Sequence, residues 1–212
     1  MKKIIFTAIA VAAFGVSNAQ EIKFGVKGGV GASTFSGNVD DVEAKFAGHL
    51  GGFAEFKFNK FAVQPELLLS YVGAEINEDY NYWYDDTPVD NIQYQANLLY
   101  LSVPVIGKYY VIEPLSIDFG PQIGMLLSAK SKTTITYWDD DSDSDTEDIK
   151  DDLKTIDFGL NFGATYNFKN NMFASARYTL GLTNIDDSPT EPGEKSTDIK
   201  NQVFQFSFGY KF

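Results

Sequence analysis

The 212-residue chain has no cysteine. Disulfides, thiolate metal sites, cysteine nucleophiles and a lipid-anchored N-terminal cysteine are therefore excluded, and redox compartment is left open. Positive charge is scarce. There are 17 Lys and Arg against 29 Asp and Glu, a formal net charge of −12. With no basic patch to set against that balance, nucleic acid is not an expected partner. Beyond the N-terminus no run is long and apolar enough to form a spanning helix, and the mean hydropathy is −0.18. A phosphate-binding loop is missing too, because "GVKGGVGAS" lacks the strand-loop-helix context such loops need. Aromatic residues (15%) and glycines (18) are what the chain has in quantity. Both suit strands and tight turns better than helices.

The first twenty residues read "MKKIIFTAIAVAAFGVSNAQ". Lys2 and Lys3 precede an apolar run from Ile4 to Val16, and Ser17-Asn18-Ala19 follows. That order is a secretory signal peptide, and the run is too short for a spanning anchor. The expected organisation is a cleaved segment, 1–19, and one domain, 20–212. Loss of Lys2 and Lys3 takes the formal charge from −12 to −14.

The mature chain alternates. In "IDFGLNFGATYNF", Ile156, Phe158, Leu160, Phe162, Ala164, Tyr166 and Phe168 share one face. Asp157, Gly159, Asn161, Gly163, Thr165 and Asn167 share the other. A period of two over that length excludes a helix. The same pattern runs through 22–30 and 115–125, and more weakly through 45–58, 61–75, 93–110 and 172–183. The chain ends on "FQFSFGYKF", with Phe204, Phe206, Phe208, Tyr210 and Phe212 on one side. This makes eight predicted strands. The connections at Asn59-Lys60, about 111–114, and 169–171 are short. Those at about 35–44, 76–92, 131–152 and 184–198 are longer and polar. Even strand number with short turns at one end and long loops at the other predicts an all-β, eight-stranded, antiparallel up-and-down transmembrane barrel. Short turns face the periplasm and long loops face outside.

In such a barrel the apolar face meets lipid and the polar face lines the lumen. The polar face here carries Lys23, Lys27, Glu55, Lys57, Glu66, Lys108, Asp118, Asp157, Arg177 and Lys211. Eight strands enclose a space that side chains fill. Charges of both signs are then expected to pair across it, as buried charges must. Lipid offers no partner to a free strand edge, so the final strand is expected to close against the first.

Five stretches resemble the PorT-like outer-membrane β-barrel family of Bacteroidota: "FGVKGGVGASTF" (24–35), "LSVPVIGKYY" (101–110), "FGPQIGMLLSAK" (119–130), "DFGLNFGATYNF" (157–168) and "ARYTLGLTNI" (176–185). The likeness runs over essentially the whole mature chain, with the motifs in order. It implies an outer-membrane location in a Gram-negative bacterium. It implies no catalytic motif, and through the member that names the family it suggests a link to type IX secretion. The terminal strand also resembles the signal read by barrel-insertion machinery, with Phe208, Tyr210 and Phe212 at the recognised positions.

Three chemical possibilities remain. His49, the one histidine, could serve a lipid-modifying hydrolase if Ser33 or Ser70 stood beside it. Asp141, Asp143 and Asp145 have the alternate spacing of a calcium loop, with Asp152 at its twelfth position. Thr146, however, occupies the glycine position, Asp148 the apolar one, and no helix flanks the stretch. A solvated acidic loop is the commoner reading, and loose divalent bridging to lipopolysaccharide lies between the two. Tyr80, Tyr82, Trp83 and Tyr84 suit protein or glycan contact, or an aromatic membrane belt. The function expected from all this is a non-enzymatic surface, assembly or secretion-linked component without a cofactor, acting through its loops. A small gated pore and a lipid hydrolase are the alternatives. Mass spectrometry of the exported protein checks the first boundary: the expected N-terminus is Gln20, and an intact Met1 contradicts it.

Overall fold

The structure, a computed structural model, describes residues 21–38, 42–84, 87–137, 141–188 and 198–212, with side chains for all of these except 78–84 and 87–90. The expected signal peptide, 1–19, and the expected junction at Gln20 lie outside them. Nine strands form: β1 (Glu21–Gly37), β2 (Val42–Phe58), β3 (Phe61–Tyr84), β4 (Thr87–Ile112), β5 (Leu115–Tyr137), β6 (Ser142–Asp148), β7 (Ile156–Asn167), β8 (Met172–Gly181) and β9 (Ile199–Lys211).

Eight of the nine make a closed antiparallel ring in the order β1-β2-β3-β4-β5-β7-β8-β9, and β9 returns to β1. The closing ladder runs from Gly25↔Lys211 to Gly37↔Ile199. Phe212 N–H adds a bond to the Phe24 carbonyl at 2.8 Å, so no edge is left open along the apolar zone. Two of the short turns are made by asparagines in the left-handed region, Asn59 (φ 55°) and Asn171 (φ 64°). Their short polar side chains tolerate that conformation.

The faces are inverted relative to a water-soluble barrel. Phe24, Phe46, Leu50, Phe61, Phe208 and Phe212 are each more than 60% exposed. Lys27, Glu55, Glu66, Lys108, Asp118 and Arg177 are each under 4% exposed. A monomer in water does not present so continuous an apolar surface, whereas a barrel in lipid must.

Two expected loops turn out to be largely strand. The 76–92 segment continues the β3–β4 hairpin as far as Tyr84↔Thr87. Within 131–152, β5 runs on to Tyr137 and β6 pairs with its outer half, Lys130↔Asp148 to Thr136↔Ser142. β7 pairs with the inner half of β5, from Leu115↔Tyr166 to Met125↔Ile156. So β6 stands above β7 in the same position of the ring. Alternation does not announce these extensions because beyond the lipid water wets both faces, and nothing there selects an apolar side. The sheet β3–β6 projects past the membrane as a result.

Large lumen side chains are fitted by glycines opposite them. The rings of Phe53 on β2 and Phe173 on β8 meet edge to face with centroids 5.4 Å apart. A Cβ on Gly209 would lie 2.3 Å from Phe173 Cζ and 2.5 Å from the Val26 carbonyl oxygen. Gly209→Ala is expected to destabilise the barrel by roughly 1–3 kcal/mol through overpacking. Urea unfolding in detergent, followed by the heat-modifiable gel band, checks this; an unchanged midpoint contradicts the packing.

Candidate functional site: a filled lumen

The lumen is polar in the middle and apolar at its outer end. At its centre Glu66, from β3, receives three charged hydrogen bonds. Arg177 on β8 binds it bidentately, Nη1 to Oε2 and Nη2 to Oε1, both at 2.8 Å. Lys27 on β1 donates to Oε2 at 3.0 Å, and Gln64 donates to Oε1 at 2.7 Å. In the ring β3 and β8 stand four places apart, directly opposite. The Arg177–Glu66 pair therefore crosses the whole lumen. Bidentate geometry and full pairing are what make a buried ion pair tolerable.

Two further pairs lie towards the periplasmic end. Lys211 Nζ donates to both oxygens of Glu55 at 2.9 Å. Lys108 Nζ donates to Asp118 Oδ2 at 2.9 Å and to Thr165 Oγ1 at 3.0 Å, while Ser116 and Thr165 also bond the Asp118 carboxylate. Lys57 lies over the Tyr110 ring, 4.3 Å from its centroid. Lys23 is only part-buried and pairs with Glu21 at 3.0 Å. A recess of about 420 Å³ opens at this mouth, lined by Glu21, Lys57, Lys60, Tyr110 and Glu113 among others.

Towards the outer end, Asp157 accepts from Asn201 Nδ2 at 2.8 Å. Its Oδ1 has no hydrogen-bond partner among the described residues. Asn201 also reaches Tyr100 Oη at 3.4 Å, from β9 to β4, a second crossing of the full width. Above them Ala47, Val72, Leu98, Leu126, Ala129, Ile185 and Val203 form an apolar cluster, with Phe35, Ile149, Leu153 and Ile199 against it. Ile149, Leu153 and Ile185 come from connecting segments folded over the mouth. Lys154 fastens that cover, its ammonium donating to the carbonyls of Asn184 (3.0 Å) and Asp186 (2.7 Å).

His49 faces the lumen, and its Nε2 lies 2.9 Å from Ser207 Oγ on β9. Its expected partners are engaged differently. Ser33 Oγ donates to the Gly73 carbonyl at 2.7 Å and accepts from the Gly73 N–H at 2.8 Å. It thereby serves the β3 backbone where the β2–β3 register slips between Ala44 and Gly48. Ser70 stands opposite His49 in the ladder without a hydrogen bond to it among the described residues. His49 and Ser207 are both buried, 6% and 2% exposed.

The acidic stretch does not gather. Asp143 and Asp145 lie on β6 and are exposed, and Asp141, Asp143 and Asp145 each accept from the next residue's N–H. Asp152 sits apart in a single 3-10 turn, Lys150–Asp152. Among the described residues no group of three His, Cys, Asp or Glu is placed to hold a metal ion. Tyr80, Tyr82, Trp83 and Tyr84 are on the distal arm of β3, where side chains fall outside the described residues. Phe208, Tyr210 and Phe212 point outward and are exposed, with the last two rings 5.5 Å apart.

Sequence reasoning missed the apolar cover and the Phe53–Phe173 contact. The glycines at 25 and 209 were the available signal for the second; the first had none, since Ile149, Leu153 and Ile185 are isolated apolar residues in polar surroundings.

A family model described as "Outer membrane protein beta-barrel domain" matches residues 18–187. No curated protein matches the sequence. Among solved structures, Ail, the attachment invasion locus protein of Yersinia pestis, is 15% identical with a TM-score of 0.47, over 91% of this chain and 100% of that one. A major outer membrane protein from Thermus thermophilus gives 16% and 0.47 with the same coverage. Neisserial surface protein A gives 11% and 0.45, again with the same coverage.

Removing the one anion of the central cluster leaves Lys27 and Arg177 buried together without a counter-charge. Glu66→Gln is expected to cost about 3–5 kcal/mol. The double variant Glu66→Gln with Arg177→Ala is expected to recover part of the loss, read as the urea midpoint in detergent. A Glu66→Gln barrel as stable as the parent contradicts the pairing.

Proposed function

This chain belongs to the outer membrane protein beta-barrel domain family, and from that premise we propose that it is a non-enzymatic surface, assembly or secretion-linked component that works through its extracellular parts. The observation that carries this reading is the filled lumen. Arg177–Glu66 spans it in the middle, and the cluster around Leu98, Leu126 and Ile185 covers its outer end. A protein whose lumen is filled among the described residues has its outer surface left to act with. That surface is enlarged by the projecting arms of β3, β4, β5 and β6. Their ends carry the aromatic run 80–84 and the acidic run 139–152, the segments suited to protein or glycan contact.

The finer assignment, to the PorT-like group and a secretion role, is supported by the five motifs between 24 and 185 and rests on them alone. Export by the N-terminal leader belongs to the same reading, as does insertion through recognition of Phe208, Tyr210 and Phe212. Calcium at Asp141, Asp143, Asp145 and Asp152 finds no support in their exposed, strand-like arrangement.

Conductance is the test. The refolded protein is expected to leave a planar bilayer electrically silent. Discrete current steps would overturn the closed-lumen reading in favour of the pore, with Lys27, Glu66 and Arg177 as its filter. The hydrolase alternative makes its own demand: loss of a lipid-hydrolysis product on His49→Ala. The expected outcome is no product from either protein.

A further inference from the structure

The ring has no open edge, but the projecting sheet has one. β6 ends the strand order and, among the described residues, pairs only with β5. An unpaired strand side of that kind is a template for a strand of another chain. We propose that Asp141, Asp143 and Asp145 guard this edge, each taking up a backbone N–H that would otherwise be free to pair with β6 of a second copy of this chain. The guard rests on the strand pairing and not on the role given to the barrel.

Alternate residues of an antiparallel strand turn their N–H and C=O groups to opposite sides. Two bonds set the phase of β6. Tyr137 N–H donates to the Asp141 carbonyl at 2.9 Å at the hairpin, and Ile149 N–H donates to the Ala129 carbonyl at 3.1 Å at the other end. Between them the ladder is regular, from Thr136↔Ser142 to Lys130↔Asp148. The backbone groups of 141, 143, 145, 147 and 149 therefore face β5, and those of 142, 144, 146 and 148 face the open side. Three of these four outward donors are taken. Ser142 N–H donates to Asp141 Oδ1 at 3.0 Å, Ser144 N–H to Asp143 Oδ1 at 3.1 Å and Thr146 N–H to Asp145 Oδ1 at 2.8 Å. The aspartates recur every second residue because the outward donors do. The alternate spacing that resembles a calcium loop is thus the spacing of an edge.

A second copy is the occupant these caps exclude. Two β6 edges brought side by side would each need the other's outward N–H groups as donors to its own outward carbonyls. With three such donors taken on each side, the edges have little to give one another. Nothing else in the strand blocks them. β6 is seven residues long, exposed throughout and without proline, and Ser142, Ser144 and Thr146 at the outward positions are small. Its like charges add repulsion, but Glu147 and Asp148 supply charge as well and cap no N–H within the strand. Position, not charge alone, distinguishes the three aspartates.

The experiment uses the mature chain refolded in a zwitterionic detergent with EDTA, its folded state checked by the heat-modifiable gel band. Association is read by light scattering of the protein–detergent complex over a concentration series. D141A/D143A/D145A removes the caps and is expected to self-associate roughly tenfold or more tightly than the parent. D141N/D143N/D145N loses the same three charges but keeps an oxygen in each cap, and is expected to match the parent. Adding Ser144→Pro to the alanine variant removes the central outward donor without touching a bond to β5, and is expected to abolish the gain. An alanine variant that associates no more than the parent overturns the guard. So does equal association of the asparagine and alanine variants, which assigns the effect to charge. Association that survives Ser144→Pro overturns it as well, because the contact then lies off this edge. D143A/D145A serves, with the same outcomes, if the triple alanine variant does not fold.

Discussion

Glu66 accepts two hydrogen bonds from Arg177 and one from Lys27 inside a lumen where all three side chains are under 5% exposed. A carboxylate in that position without partners would cost several kcal/mol. It is tolerated there because β1 brings Lys27 and β8 brings Arg177 to it from two sides of the ring. The constraint runs both ways. The pair exists only when the ring is closed in this register, and the register is worth keeping because slipping by one residue would turn the charges to lipid and the phenylalanines inward. The Lys211–Glu55 pair repeats the arrangement across β1, and Lys108–Asp118 between neighbours.

From that constraint the rest of the architecture follows. A lumen filled with paired charges and aromatic rings needs glycines where the large groups lie, as at Gly209 beneath Phe173. Among the described residues it also leaves no wide channel. At the outer end the strands outlast the membrane, and β6 extends the sheet above β7. The irregularity in β2 leaves Gly73 without its ladder bonds, and the Ser33 hydroxyl takes them. A defect in the ladder is thus repaired from inside.

The barrel was legible because lipid imposes a period of two that survives in any local window, as in 156–168 and 204–212. That Lys27, Glu66 and Arg177 share the lumen face follows from the same alternation. Which charge meets which does not, because Glu66 and Arg177 are 111 residues apart in sequence and meet through ring closure. The β5 and β6 extensions were hidden by water on both faces of the sheet. The cover over the outer mouth was hidden for another reason: Ile149, Leu153 and Ile185 are single apolar residues whose burial depends on tertiary folding of polar segments. His49 shows the same limit. Its nearest hydroxyl, Ser207, is on the strand that returns to β1 at the end of the chain, and neither Ser33 nor Ser70 is its hydrogen-bond partner.

The aromatic face meets lipid and the charged face fills the lumen, and β9 tests both halves of that claim at once. With no native cysteine, single cysteines carrying a spin label can be placed at 203–208 without interference. Oxygen accessibility in bilayers is then read at each position. Maxima are predicted at 204, 206 and 208, with 203, 205 and 207 shielded from both oxygen and a polar relaxant. Maxima at the odd positions, or an even profile along the strand, would contradict the claim.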